Sequence, residues 1–170
     1  FKFDRIKALD ELKSLTGIQG IGWSDIEILE YSGLSQLTAR YEQIFGLMDS
    51  GRRADYFSRG IHEAFVEVES RKDLYPNLTI ENRILLIYPF AMFFFTQPNN
   101  HELASVIENG LKLAYEDGSF YEYFYNNKAT QAALSQSQLE TRIWFRIPNL
   151  NMTPESLGID KKYWHQVDEK

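Results

Sequence analysis

Residues 17–25 read GIQGIGWSD, and residues 51–60 read GRRADYFSRG. In each stretch a short strand-like run ends in a turn, at Ser24 and at Gly60, just before a segment with helical periodicity. Strand ends that lead into helices form the ligand-facing edge of open α/β sheets. The two stretches therefore predict an α/β fold with a polar site at the ends of these strands.

Composition narrows the classes of protein that this chain fits. Its 170 residues, 44% hydrophobic and 15% aromatic, suffice for one domain or two small lobes with a packed core. The net charge is −6 and the densest basic spot is the pair Arg52–Arg53, so we predict no nucleic-acid partner. The absence of cysteine excludes disulfides and thiolate chemistry. The apolar stretch 84–96 is shorter than the ~18 residues of a membrane span and contains Pro89.

Alternating strand and helix patterns extend outward from the two stretches. Strand patterns occupy 18–22, 35–39 and 54–58, followed by two more strands within 78–96 that divide near Tyr88–Pro89. Helical patterns occupy 5–15, 25–32, 41–49, 61–71, 100–116, 119–126 and 129–142. This order predicts a small, mostly parallel sheet flanked by helices.

Several ordered pieces of the chain carry a family resemblance. They are Ala8–Leu12, Gly20–Asp25, the turn Gly51–Arg52 with Asp55–Gly60, Tyr88–Phe90, His101–Ala104 with Asp117–Phe120, and Arg142–Ile143 with Pro148–Leu150. In this order and spacing they resemble the bacterial extracytoplasmic solute-binding proteins of family 3, the polar amino acid type of ABC transporters. The resemblance covers nearly the whole chain, and its last piece looks like the extra tail of a poorly characterised subgroup.

The resemblance implies a type II periplasmic-binding fold, in which two α/β lobes close over a ligand. It assigns 1–87 to the second lobe, 88–142 to the return strand and C-terminal helices of the first lobe, and 143–170 to an irregular packing tail. It also implies that the sequence lacks the N-terminal half of the first lobe. We therefore expect an exposed apolar face on the helices of 101–127, with a homodimer or a domain swap as its outcome.

The function that the resemblance implies is binding, in the periplasm, of a small polar solute that is anionic or amino-acid-like. The solute would pass to a membrane permease or receptor, without catalysis and without a cofactor. One alternative is the extracellular sensor or input domain of a signalling protein. Another is a dehydratase-like enzyme on the same fold, with His62 and Glu63 as its acid–base candidates. No metal site is predicted, because Val66 stands where a zinc-binding helix needs its second histidine.

Three adjacent residues are site candidates at the end of the first strand. In the family, a Ser or Thr at the position of Ser24 meets the ligand carboxylate; the alternative is that Ser24 only caps its helix, with Glu27 completing a capping box. Trp23 either stacks on the ligand or lines the core between helix and sheet. Asp25 either contacts the ligand or serves as a first-turn partner of the helix dipole.

Arg59 and Tyr88 complete the candidate site. A guanidinium at Arg59 can clamp a carboxylate or phosphate bidentately, or form a salt bridge to Glu63 or another nearby acid. Typical amino acid binders of the family place an aspartate near this point, so an arginine here favours a more anionic ligand. Tyr41 and Tyr88 either line the cleft or belong to the core with a hydroxyl at its rim.

Overall fold

The computed structural model describes residues 2–165, which form a mixed α/β structure, about 49% helical, with two parallel sheets of two strands each. The helices are α1 (Leu9–Leu12), α2 (Asp25–Tyr31), α3 (Tyr41–Ser50), α4 (Ile61–Arg71), α5 (His101–Glu116), α6 (Ser119–Asn126), α7 (Lys128–Ser137) and α8 (Pro154–Leu157). The strands are β1 (Gly17–Gly20), β2 (Gln36–Ala39), β3 (Ile84–Ile87) and β4 (Ile143–Arg146). Short 3₁₀ turns lie at Lys2–Arg5, Leu139–Thr141 and Lys161–Tyr163. The predicted α/β class is confirmed at this level, and the periplasmic-binding lobe stays a prediction.

The chain divides into two compact units. Unit 1 contains the residues up to Tyr88 together with Ala132–Leu150. Unit 2 contains Pro89–Gln131 together with the residues from Asn151 onward. Both sheets therefore belong to unit 1, and the chain must leave this unit after β3 and return before it can add β4.

The first sheet pairs β1 with β2 in parallel, with Ile18 opposite Leu37. On the other side of β1, the predicted strand 54–58 is reduced to a single parallel bridge between Gly17 and Tyr56. The Tyr56 carbonyl accepts a hydrogen bond from Ile18 N at 2.9 Å. The next residue, Phe57, packs its ring on the α3 side chain Phe45. The backbone pairing with β1 does not continue beyond Tyr56. The prediction of a full strand here is wrong, although the parallel direction holds.

The second sheet pairs β3 with β4 in parallel, with Ile84 opposite Ile143. Arg142, at the start of β4, is buried, and its guanidinium donates to the carbonyls of Ser137, Glu81 and Ile84 at 2.5, 2.7 and 2.9 Å. These bonds tie both strands to the turn that precedes β4. The prediction of an irregular tail over 143–170 is therefore wrong for residues 143–146.

The apolar run after β3 does not form the predicted second strand. Pro89 lies two residues after the end of β3, and a proline cannot donate to a ladder. The segment 91–96 has no regular structure, and its side chains Phe94 and Phe95 are 72% and 90% exposed. The prediction that the run Phe93–Phe95 is a buried strand is wrong.

Two clusters of buried side chains hold unit 1 together. The larger one joins α1, α2 and β4 and consists of Ile6, Leu12, Ile28, Leu29, Leu34, Phe145 and Ile147. The smaller one lies between β1 and α3 and consists of Ile18, Ile44 and Ala54. Each fully buried aliphatic side chain contributes about 1.5–3 kcal/mol to folding, so these clusters fix the ends of β1 and β3, where the site residues follow.

Unit 2 is built around α5 and α6. Asn100 caps α5 by accepting a 3.1 Å hydrogen bond from Leu103 N. The Tyr115 ring stacks on Phe120 at 4.2 Å and meets Tyr163 edge-on at 4.7 Å. The exposed apolar face expected on these helices is confirmed, since the side chains that remain exposed are Leu103, Val106, Leu111, Leu113, Tyr121, Tyr123 and Tyr125.

Candidate functional site

The site residues follow the C-terminal ends of parallel strands in unit 1. β1 leads into Trp23 and Asp25, β2 leads into Tyr41, and the segment bridged at Tyr56 leads into Arg59. β3, in the second sheet, leads into Tyr88. The structure brings Trp23, Tyr41 and Arg59 into contact with one another, and Asp25 into contact with Tyr88. Ligands of open α/β sheets bind at such strand ends.

Arg59 is held in place by two glutamates of α4. Its Nε and Nη2 donate to the two carboxylate oxygens of Glu67 at 2.8 and 2.7 Å, and Nη2 also lies 2.9 Å from Glu63 Oε1. The side chains of Arg59 and Glu67 are only 14% and 13% exposed. This is the salt-bridge alternative for Arg59, with Glu67 as the bidentate partner. A bidentate Arg–carboxylate pair in a partly buried setting is a strong and geometrically specific contact.

The charges of this pair respond to burial and to each other. Burial opposes the charge on Glu67, but hydrogen bonds from Arg59 and Tyr41 outweigh it and hold the pKa of Glu67 below its usual value. Burial likewise acts to lower the pKa of Arg59, and the bonds to Glu67 more than compensate, so this pKa is raised. Both groups are therefore charged at neutral pH.

Three aromatic rings surround the guanidinium of Arg59. Its Cζ lies 4.9 Å from the ring centre of Trp23, 5.2 Å from that of Phe57 and 5.8 Å from that of Tyr41. Trp23 itself stacks on Phe57 with 6.0 Å between ring centres. A cation over several ring faces gains electrostatic attraction from each. Contacts within the protein therefore explain the position of Trp23, and its role in ligand binding stays a prediction.

Tyr88 and Asp25 form a direct link between the two sheets. The Tyr88 hydroxyl donates a 2.6 Å hydrogen bond to Asp25 Oδ1. Burial, followed by this bond to a carboxylate, raises the pKa of Tyr88 well above its usual value, so its hydroxyl stays protonated and remains a donor. Glu63 and Arg59 also act on this pKa, with opposite signs, which places them within electrostatic range of the Tyr88 hydroxyl.

Ser24 lies next to these residues but does not cap its helix. It occupies the N-cap position of α2 with φ −65° and ψ −22°, and its side chain makes no capping hydrogen bond. An N-cap side chain reaches the helix amides from an extended backbone, and the helical backbone of Ser24 does not provide that geometry. The predicted capping box with Glu27 is therefore wrong. Ser24 is exposed at the edge of the site.

Two residues near Arg59, Glu67 and Gln19, were not predicted from the sequence. Arg59, Glu63 and Glu67 are spaced four residues apart, which brings residues to one side of a helix and was the available signal for Glu67. Gln19 is 1% exposed on β1 and donates to the Ser58 hydroxyl and carbonyl at 2.6 and 3.2 Å. Its Oε1 is buried and makes no hydrogen bond within residues 2–165. A polar side chain inside a short apolar strand was the signal for Gln19.

The ionised side chains around Arg59 and Tyr88 are predominantly negative. Asp25, Glu63 and Glu67 contribute three carboxylates, against the guanidinium groups of Arg59 and Arg71, the latter centred 5.6 Å from the Tyr41 ring. Among residues 2–165, no group of three or more His, Asp and Glu side chains is arranged to hold a metal ion. The arrangement is suited to hydrogen bonding and to holding a positive group.

Comparison of the chain with models of known protein families, with curated proteins and with solved structures finds no match. Within the described part of the chain, none of the helices combines the length and apolar character that crossing a membrane requires.

Proposed function

We propose that this protein is a solute-binding module that binds a small polar molecule carrying an amino group and passes it to a membrane permease or receptor. The observation that carries the proposal is the convergence of Trp23, Asp25, Arg59 and Tyr88 at the C-terminal ends of parallel strands. Open α/β sheets bind their ligands at such an edge. The family resemblance of the sequence points to the same role and to a periplasmic location.

The charge at this edge favours an amino-acid-like solute over a purely anionic one. Glu67 and Glu63 already compensate Arg59, so its guanidinium is no longer a free positive charge awaiting an anion. Asp25 Oδ2 makes no hydrogen bond within residues 2–165, whereas Oδ1 accepts from Tyr88. An ammonium group placed at Oδ2 would gain a charge-assisted hydrogen bond beside a net negative cluster.

Arg59 also offers a place for the carboxylate of a zwitterion. Its Nη1 has no hydrogen-bond partner in the described part of the chain, while Nε and Nη2 are occupied by the glutamates. One carboxylate oxygen of the solute can accept a hydrogen bond there, and Trp23 gives an apolar surface beside it. Both ends of an amino acid thus find complementary groups.

The enzyme alternative receives less support. His62 is exposed, and Glu63 accepts a 3.1 Å hydrogen bond from Gly60 N while pairing with Arg59. A general base needs a carboxylate free to take a proton from the substrate, and Glu63 is engaged on both oxygens.

Calorimetry and thermal-shift assays with a small ligand panel test the proposal. The panel contains neutral amino acids, cationic amino acids, primary amines, dicarboxylates and inorganic phosphate. We expect binding and a rise in melting temperature with the amino-bearing classes. Asp25→Asn should weaken that binding by about 10- to 100-fold, the effect of a hydrogen bond to a charged group.

Glu30→Gln is the matched control, because it also removes one negative charge from α2 at an exposed position. It should leave the affinity within about twofold of the wild type. Binding of dicarboxylate or phosphate alone, binding of no member of the panel, or equal affinities of Asp25→Asn and Glu30→Gln would reject the proposed ligand class.

A further inference from the structure

A segment of unit 2 without regular structure, residues 91–96 with the sequence AMFFFT, lacks backbone partners. No hydrogen bond joins its N–H or C=O groups to any other group in residues 2–165. It lies between Pro89–Phe90 and the turn before α5. A run of unpaired donors and acceptors can pair with another strand.

The large side chains of this segment are largely exposed. Met92 is 89% exposed, Phe94 72%, Phe95 90% and Phe93 50%. When the segment pairs as a β-strand, Met92 and Phe94 lie on one face and Phe93 and Phe95 on the other. A strand with apolar side chains on both faces is typical of the covered interior of a sheet. Burial of this segment therefore requires a partner for its backbone groups and for its apolar side chains.

Next to the segment lies a cavity of about 790 Å³ within unit 2. Phe93 and Phe94 line it together with α5 residues such as Ile107 and Leu111, whereas Phe95 is not among its lining residues. On α5, Leu103, Val106 and Leu113 are also exposed, at 45%, 63% and 61%. The segment and α5 together form one apolar surface. Soluble proteins normally expose apolar side chains singly, and larger apolar patches mark interaction sites.

We infer that a second copy of this chain covers this surface, with residues 91–96 of the two copies paired as antiparallel β-strands. When a segment pairs with its own copy in antiparallel about a two-fold axis, both copies form the same backbone hydrogen bonds. This is the geometry of the common C2 dimer. From Pro89 to Asn100 the chain contains no charged residue, so the paired copies place no like charges opposite each other. This inference concerns unit 2 and is independent of the function proposed for unit 1.

The available area agrees with a dimer of modest stability. At about 200 Å² per aromatic ring, the exposed parts of Phe90, Phe93, Phe94 and Phe95 amount to roughly 500 Å². Met92 and the exposed side chains of α5 bring the surface near the roughly 800 Å² per partner of a standard interface. Interfaces of this size span dissociation constants from about micromolar to picomolar, and we expect this one at the micromolar end.

Sedimentation equilibrium of the full chain between about 1 and 100 µM tests the dimer. Phe95→Asp is the informative variant, because this side chain is exposed and does not line the cavity, so each copy keeps its own packing. We expect the wild type to dimerise in this range and Phe95→Asp to weaken the dimer at least about 100-fold. Leu74→Asp, at a 71% exposed position in unit 1, is the matched control and should dimerise like the wild type. A wild type that stays monomeric at 100 µM, or a Phe95→Asp variant that still dimerises, overturns the inference.

Amide hydrogen exchange tests the strand pairing itself. If the two copies pair through 91–96, these amides become protected at 100 µM and exchange freely at 1 µM. A dimer whose 91–96 amides exchange equally fast at both concentrations would contradict the pairing, since side-chain contact alone does not protect a backbone.

Discussion

The Tyr88 hydroxyl donates a 2.6 Å hydrogen bond to Asp25 Oδ1, and the two residues follow strands of different sheets. Asp25 begins the helix after β1, and Tyr88 directly follows β3. The bond therefore fixes the end of the second sheet to the first turn of a helix that belongs to the first. Asp25 Oδ2 makes no hydrogen bond within residues 2–165.

Tyr88→Phe removes this bond while keeping the ring. We expect it to lower the free energy of unfolding by about 1.5–3 kcal/mol, because the hydrogen bond to a charged carboxylate is partly buried. Urea titration at pH 7 measures the loss. Tyr123→Phe, at a 69% exposed position, is the control and should change stability by less than about 0.5 kcal/mol. Equal stabilities of the two variants would show that the bond does not hold the sheets together.

Arg59 and Glu67 should behave as a coupled pair. Arg59→Met leaves Glu67 without its bidentate partner, and we expect a loss of about 3–5 kcal/mol, the cost of stranding one partner of a buried pair. Arg59→Met combined with Glu67→Gln should recover part of that loss. The double-mutant cycle should give a coupling energy of about 1–3 kcal/mol, and purely additive effects would contradict the pairing.

Acid should weaken unit 1 partly through Glu67. The pKa of Glu67 is lower in the folded chain than in the unfolded one, so the group adds stability above the unfolded value and loses this contribution as pH falls. We expect the stability difference between the wild type and Glu67→Gln to be largest near pH 7 and to shrink below about pH 5. Urea titrations at pH 7, 5, 4 and 3 measure it. If the difference stays constant over this pH range, the pairing with Arg59 does not lower the pKa of Glu67.

Gly20 allows Trp23 to reach its place over Arg59. A Cβ added at Gly20 would collide with the Trp23 indole, so Gly20→Ala should displace the ring and cost about 1–3 kcal/mol. The tryptophan emission spectrum should shift with it. Gly110→Ala is the control, because an added Cβ there meets no atom within 4 Å, and in the middle of α5 it should stabilise the chain by about 0.5–1 kcal/mol. Unchanged emission in Gly20→Ala would contradict the packing.

The sequence predicted the long helices well and the second sheet poorly. α4 and α6 lie where their apolar periodicity indicated, because a helix carries its pattern within its own residues. β4 has no such signal, since its parallel partner β3 lies far away in the chain and four residues show little periodicity. The apolar composition of 91–96 predicts a buried strand, but composition alone does not determine which other part of the protein would cover it.

The candidate site was predictable as a set of residues and less so as a set of contacts. The sequence pointed to Trp23, Ser24, Asp25, Arg59 and Tyr88, and in the structure Trp23 contacts Arg59 and Asp25 contacts Tyr88. It did not show that Tyr88 donates to Asp25, because that bond joins residues 63 positions apart. Nor did it show that the Trp23 ring lies against Arg59, since stacking is decided by packing in three dimensions.

The parallel pairing of Ile84 with Ile143 also has a consequence for the order in which the chain acquires its structure. The paired residues differ in number by 59, and all of Pro89–Gln131 must be synthesised between them. Contacts so distant along the chain form slowly, and a ribosome adds about 5–20 residues per second. The edge of β3 that pairs with β4 therefore stays unpaired for several seconds during translation. Because the partner strand β4 begins only at Ile143, the last part of unit 1 must emerge before its second sheet can be completed.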